Sequence, residues 1–468
     1  MTKSGVGGEG GGAAAACRSY ITVICQSARF LFLAITVGLA MLILKHPELT
    51  SLVDGYPFGL LPVRHPESGK LLLVIKAGKE YILAARLNGG FSFYLAPLMS
   101  TSGLTVALMT AFFDDGDEPL VIQTGIFDDP ESKDFLELLG YDELDIHFLD
   151  EHNREWMSYR ATLRDGGSVI VEGAPICLLT YHDETVTGVY VALAEWFGRR
   201  TPADDDKAIK VVFENELFPS DIFIGDMRPE FQDYLGSGGH SHSTLEREDA
   251  GYYQERDIAL NLKRAFKGPH IALNPIRRDT GKELTDVMAE NSTHLVLIQA
   301  KDTPNTGSSL ARKLERKRRS SQSQIAKAVK QAKGAAKYVR GQDILELTID
   351  HKDLDVKTSG KSIVSLIVVQ EMFLDESVQF VARYREMQGL VDVFVMLDYS
   401  AFSQFCYEFP NDQSLVAALT AYSSDIVKND VWIEPQAYVI NHRKSRLSPQ
   451  SGNPAGTERQ PGDSPTSQ

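Results

Sequence analysis

Two near-continuous apolar runs, "SIVSLIVVQ" (Ser362–Gln370) and "LVDVFVMLD" (Leu390–Asp398), constrain this chain more than any other feature. Strands that are apolar at nearly every position are buried on both faces, so they need other elements packed above and below. The preceding sequence supplies helices and further strands. "YYQERDIALNLKRAF" (Tyr252–Phe266) sets Ile258, Leu262, Ala265 and Phe266 at helical spacing. "HIALNPI", "LTDVMAE" and "HLVLIQAK" then read as three strands, separated by the turns "RRDTGKE" and "NST". "SQIAKAVKQAKGAAKYV" is a helix whose stripe is Ile325, Ala328, Val329, Ala332, Ala335, Ala336 and Val339. The expected order is helix, three strands, helix, strand.

The third of these strands, His294–Lys301, ends in polar residues on one face. Alternation puts Leu295, Leu297, Gln299 and Lys301 on one side and Val296, Ile298 and Ala300 on the other. Gln299 and Lys301 therefore emerge side by side where the apolar part stops. Asp286 lies thirteen positions before Gln299, and a hairpin through "ENST" can fold it against them. The Asp286 carboxylate, the Gln299 side-chain carbonyl and the Ala300 backbone carbonyl are hard oxygen ligands suited to Mg²⁺ or Mn²⁺. Lys301 beside them can orient a water and stabilise charge growing on a phosphate.

In motif and in element order, Tyr252–Asp398 resembles the PD-(D/E)xK nuclease superfamily. The resemblance implies that Asp286 and the first residue of the triplet hold the metal and that Lys301 serves the attacking water. Gln299 stands where the triplet usually has an acid, which is similar to the QxK branch that looks like the modification-dependent restriction enzymes. A neutral ligand makes a weaker site. The family pattern further implies roles for Glu255 on the first helix and for Gln331 on the second. Glu283 is an extra carboxylate, or a turn residue only. The implied fold class is α/β (α+β overall), with a restriction endonuclease-like αβββαβ core in the C-terminal half and an antiparallel α+β domain before it. The implied activity is Mg²⁺-dependent hydrolysis of nucleic-acid phosphodiesters, DNA before RNA, with a homodimer if both strands are cut. Two alternatives stand beside it: a catalytically inactive nuclease-fold module that binds nucleic acid or protein, and a membrane-tethered scaffold.

The segment after the third strand carries charge of the matching sign. Arg312 to Arg340 holds eleven basic residues against the single acid Glu315, in a chain whose net charge is −15. Arg312, Lys313, Arg316, Lys317, Arg318, Arg319, Lys327 and Lys330, with Gln331, are the expected nucleic-acid contacts, because phosphate neutralisation dominates such affinity. The plainer reading is a solvated helix face. Apart from Tyr338 no aromatic residue interleaves the charges, so base-specific readout is not expected.

The N-terminal half reads differently. "KLLLVIKAG" and "EYILAARLNGG" look like strands split by a Gly-Lys turn, and "DDGD" reads as the turn of a hairpin. "ESKDFLELLGY" is a short helix stopped at Gly140. Ile146, Phe148, Trp156 and Tyr159 are expected to face inward. Asp114, Asp115, Asp117, Asp128, Asp129, Asp150 and Glu151 fit solvated turns better than a metal cluster, and His147 with His152 lacks a third ligand for zinc. Gly5, Gly7 and Gly10 match GxGxxG without the strand–turn–helix setting a dinucleotide site needs.

The expected boundaries are a disordered extension (1–29), a transmembrane or signal-anchor segment (30–44), the first domain (66–234), a flexible Gly/Ser linker holding His240 and His242 (235–250), the nuclease-like domain (251–442) and a disordered tail (443–468). The apolar run Phe30–Leu44 is uncharged but short for a span, which wants ~20 residues. Four scattered cysteines without a CxxC fit a reducing compartment. A cytoplasmic protein is expected, with a single N-terminal membrane helix as the alternative.

Overall fold

A computed structural model of the chain describes residues 21–25, 41–100, 103–113, 119–164, 177–180, 183–220, 222–439 and 442. It is a mixed α/β protein built on two principal sheets. The expected "DDGD" turn, the tail and most of the apolar run Phe30–Leu44 lie outside the described residues. The last part of that run is described, and it is used in packing. Met41 and Leu42 are each 3% exposed and belong to the apolar core. Among the described residues no helix is long and apolar enough to cross a membrane.

The N-terminal sheet has eight strands. They lie in the order Gly59–Arg64, Leu71–Lys76, Glu143–Leu149, Glu155–Arg164, Ile209–Glu216, Gly90–Ser100, Gly103–Phe112 and Leu120–Gly125. Neighbours run antiparallel except Leu71–Lys76 beside Glu143–Leu149, which are parallel. A parallel pair needs a long crossover, so "EYILAARLN" cannot be the simple next strand. It is the helix Lys79–Asn88, started after Gly78 and stopped by Gly89 in the left-handed region (φ +62°). Its run of Ala and Leu favours helix over strand. The helix read at "ESKDFLELLGY" forms over Pro130–Leu138, with the Asp129 side chain accepting from Ser132 N at its start. Ile146, Phe148 and Trp156 are fully buried, and Tyr159 is half-buried.

The stretch 235–250, expected as a flexible linker, contains a strand. Ser241–Thr244 pairs antiparallel with Phe223–Asp226, and Ile21–Cys25, inside the expected disordered extension, pairs on the other side of that strand. Ser237, Ser241, Ser243, Leu245 and Arg247 are buried.

The C-terminal sheet is built from α1 (Ala250–Leu262), β1 (Ile271–Leu273), β2 (Val287–Glu290), β3 (His294–Lys301), α2 (Leu314–Arg340), β4 (Ser362–Val369) and β5 (Val393–Asp398). The strand order is β1-β2-β3-β4-β5. The pairs β1/β2 and β2/β3 are antiparallel, while β3/β4 and β4/β5 are parallel. The two apolar runs are thus central or covered strands, as their lack of alternation requires. α1 packs on β1, β2 and β3, and α2 on β3 and β4. α3 (Ser377–Met387), α4 (Tyr399–Glu408) and α5 (Asp412–Asn429) complete the body around β5. A hairpin, Ile344–Ile349 with Lys352–Lys357, stands between α2 and β4 and also pairs with Ile276–Arg277. Its turn residues Asp350 and His351 have φ +48° and +61°, the left-handed pair a tight hairpin needs. This hairpin is not anticipated from sequence.

Candidate functional site

The site lies where β2 and β3 part. Val287 pairs with Ile298, so extending the register by one residue sets Asp286 opposite Gln299. Both are almost fully buried, at 6% and 3% exposed. The Asp286 carboxylate accepts from Ala300 N (2.6 Å) and from Lys301 Nζ (3.1 Å). The same ammonium donates to the Ala300 carbonyl (2.6 Å). Asp286, Gln299, Ala300 and Lys301 are therefore brought together.

The Gln299 amide has a fixed orientation. Thr285 Oγ1 donates its only hydrogen to Ile298 O (2.6 Å), so it can only accept from Gln299, whose Nε2 lies 3.1 Å away. That leaves Gln299 Oε1 buried without a partner among the described residues. A buried, unmet acceptor costs about 1–3 kcal/mol unless something fills it.

Glu255 joins the cluster from α1. Its Oε2 accepts from Asn274 Nδ2 (3.1 Å), and Asn274 N donates to Asp286 O (2.9 Å). Asn274 reaches both by taking φ +49°, a conformation Asn tolerates better than most residues. Burial first, and then the Asp286 charge, raises the Glu255 pKa. Glu283 is pushed further, to about 8, by burial, by its hydrogen bond with Asp286 and by the charges of Asp286 and Glu255. The Glu283 carboxyl is thereby favoured in its protonated form. Sequence reasoning leaves Glu283 as a turn residue or an extra acid and does not find Asn274 or Thr285. The only trace of Asn274 is an Asn-Pro pair closing a strand.

The remaining expected residues are spread along α2. Arg316, Lys327 and Lys330 are exposed, with no acidic partner among the described residues. Arg318 pairs with Asp375 (3.2 Å), and Arg319 pairs with Glu315 (3.4 Å). Arg312 and Lys317 face a cavity at the start of the helix, and Lys313 is exposed. Gln331 is exposed on the solvent side. The glutamine of α2 that reaches the end of β3 is Gln324, whose Nε2 donates to Asp302 O (3.2 Å). It sits two turns nearer the helix start, which is the end adjoining the carboxyl end of β3.

Two other groups present potential metal ligands within 4.8 Å of one another, His46/His65/Glu67 and Glu151/His152/Asp257. In the second, Asp257 is already held by Arg154 (2.8 Å) and Arg247 (2.8 Å), so it is an ion-pair network. His147 is turned away from it, onto Glu155 (2.7 Å).

Fold and site together define a mixed α/β protein with a buried carboxylate–amide–lysine cluster at the end of an open sheet. No family model, curated protein or solved structure matches the chain.

Proposed function

We propose that the chain is a metal-dependent nuclease of the PD-(D/E)xK type, in its QxK form, acting on nucleic-acid phosphodiesters and on DNA first. The observation that carries this is the partnerless, buried Gln299 oxygen beside Asp286. The donor set fits a hard divalent cation. The ammonium of Lys301 already sits on Asp286 Oδ2 and Ala300 O, two of the three proposed ligand atoms. Mg²⁺ or Mn²⁺ held by Asp286, Gln299 and Ala300 would supply Lewis acidity toward a phosphate oxygen. Lys301, released from those oxygens, would orient the attacking water and donate to the phosphate. Glu255, its pKa raised, suits proton acceptance from that water. The order of α1, β1, β2, β3, α2 and β4 agrees with the family's αβββαβ core.

A second reading, a nuclease fold that binds without cutting, is favoured by one feature: Gln299 brings no charge to the metal. Cleavage of duplex and single-stranded DNA with Mg²⁺ or Mn²⁺ tests both. Wild type should cut, EDTA should stop it, and Lys301→Ala should lower the rate at least about 100-fold, the usual worth of one charge-stabilising donor. Equal cutting by wild type and Lys301→Ala would refute the assignment. No cutting by either, with DNA still bound, would favour the binding module.

A further inference from the structure

A cavity of about 430 Å³ opens at the carboxyl ends of β3, β4 and β5, where Thr303, Gln370 and Asp398 line it. Its other wall comes from the N-terminal half, at Phe58, just before the strand Gly59–Arg64, and at Tyr81 on the helix Lys79–Asn88. Glu255, Asp286, Gln299 and Lys301 do not line it. The space is separate from the site above, although it begins two residues after Lys301.

The walls state what the occupant must carry. Trp432 Nε1 is buried there with no acceptor among the described residues, and a buried donor of that kind calls for one. Asp398 and Glu434, with Glu80, Glu151 and Glu371, bring carboxylates into the same space. Asp398 Oδ1 accepts from Ala401 N (2.8 Å) and Glu434 Oε2 from Ala437 N (2.5 Å), which leaves each carboxylate further lone pairs for N–H donors. Burial, with the Glu434 and Glu80 charges, raises Asp398 to about 6; a donor-bearing ligand relieves that crowding. Arg312 lines the mouth with no side-chain partner among the described residues, and a free guanidinium suits a phosphate. The aromatic rings offer flat faces to a base.

We propose that this cavity binds a nucleoside monophosphate unit whose base carries an exocyclic amine, with the base against Trp432, the amine donated to Asp398 and Glu434, and the phosphate on Arg312. The unit is either a free nucleotide or one nucleotide of a single strand. Binding does not depend on cleavage at the first site.

The test is calorimetric titration of the full chain, in EDTA, with AMP, CMP, UMP and adenosine, followed by competition with a short oligo(dA). AMP or CMP should bind at least about tenfold more tightly than UMP, the scale of a hydrogen bond to a charged group. Glu434→Gln keeps an acceptor for Ala437 N and should erase that preference. Arg312→Gln should erase the advantage of AMP over adenosine. Displacement of AMP by oligo(dA) identifies a unit within a strand, and its failure identifies the free nucleotide; both support the site. Lys301→Ala should bind AMP like wild type, so failure of the nuclease assignment leaves this result standing. Three results would overturn the proposal: no nucleotide bound, equal affinity for AMP, CMP and UMP, or unchanged binding in both cavity variants with wild-type melting.

Discussion

Lys76 is 1% exposed, and its ammonium donates to Val53 O (2.9 Å) with no carboxylate in contact among the described residues. Burial, aided by the Arg264 charge, depresses its pKa to about 8. The unfolded chain holds the proton more tightly, so the destabilisation is full below pH 8 and fades as pH rises toward 10.5. Lys76→Met should therefore melt above wild type at pH 7, by up to about 3 kcal/mol, and the gap should narrow between pH 8 and 10.5. A gap independent of pH would show that the lysine keeps its ordinary pKa and is as charged in the fold as in the unfolded chain. Such a lysine is not legible in sequence, where "LLLVIK" reads as a strand with a solvated end. Asp286, Gln299 and Lys301 are legible because strand period and one hairpin suffice to gather them. Asn274 and Thr285 are not, because their roles depend on a left-handed backbone angle and on one hydroxyl's direction.

Among the elements, α1 carries both Glu255 and Asp257, on different sides of the helix. Asp257 is clamped by Arg154 from the N-terminal sheet and by Arg247, which holds its carboxyl well below the usual range against the burial that opposes it. Removing one partner of a buried pair costs about 3–5 kcal/mol. Arg154→Met, which also takes the guanidinium from Asp150 but leaves it the Trp156 Nε1 donor, should lose about that much in denaturant unfolding. α2 makes the other element-scale prediction. Neutralising Arg316, Lys327 and Lys330 to Gln should weaken DNA binding and flatten its salt dependence by up to about 3 in log–log slope, at ~0.9 per phosphate contact. An unchanged slope would make that face a solubility feature only. The helix itself is plain in sequence from its apolar stripe. The position of Gln331 is not, because the stripe fixes which side faces inward but not which turn reaches the end of β3.

At the scale of the molecule, polar contacts bind the two sheets into one body. Lys79 pairs with Asp302, Asn305 Nδ2 donates to Leu245 O (2.8 Å), Gln370 donates to Glu80 (2.9 Å), and Tyr399 OH donates to Glu151 (2.5 Å). Thermal unfolding of the full chain should show a single cooperative transition, and a fragment of residues 251–442 should melt lower, because it takes both arginines from Asp257, Lys79 from Asp302 and the Leu245 carbonyl from Asn305. Two separate transitions would mean that these contacts carry little. The parallel and antiparallel layout of the C-terminal sheet follows from local patterns, but this seam does not. Its residues lie up to 290 positions apart in sequence, and a single chain offers no cue to such pairings.

The strand Ser241–Thr244 gives the Gly/Ser-rich stretch a different mechanical meaning. Stitched into a ladder with Phe223–Asp226, it acts as a seam and leaves no swivel between the halves. A protease should find few footholds there. The two halves would therefore present one fixed surface to whatever binds, with no hinge at this stretch to widen it.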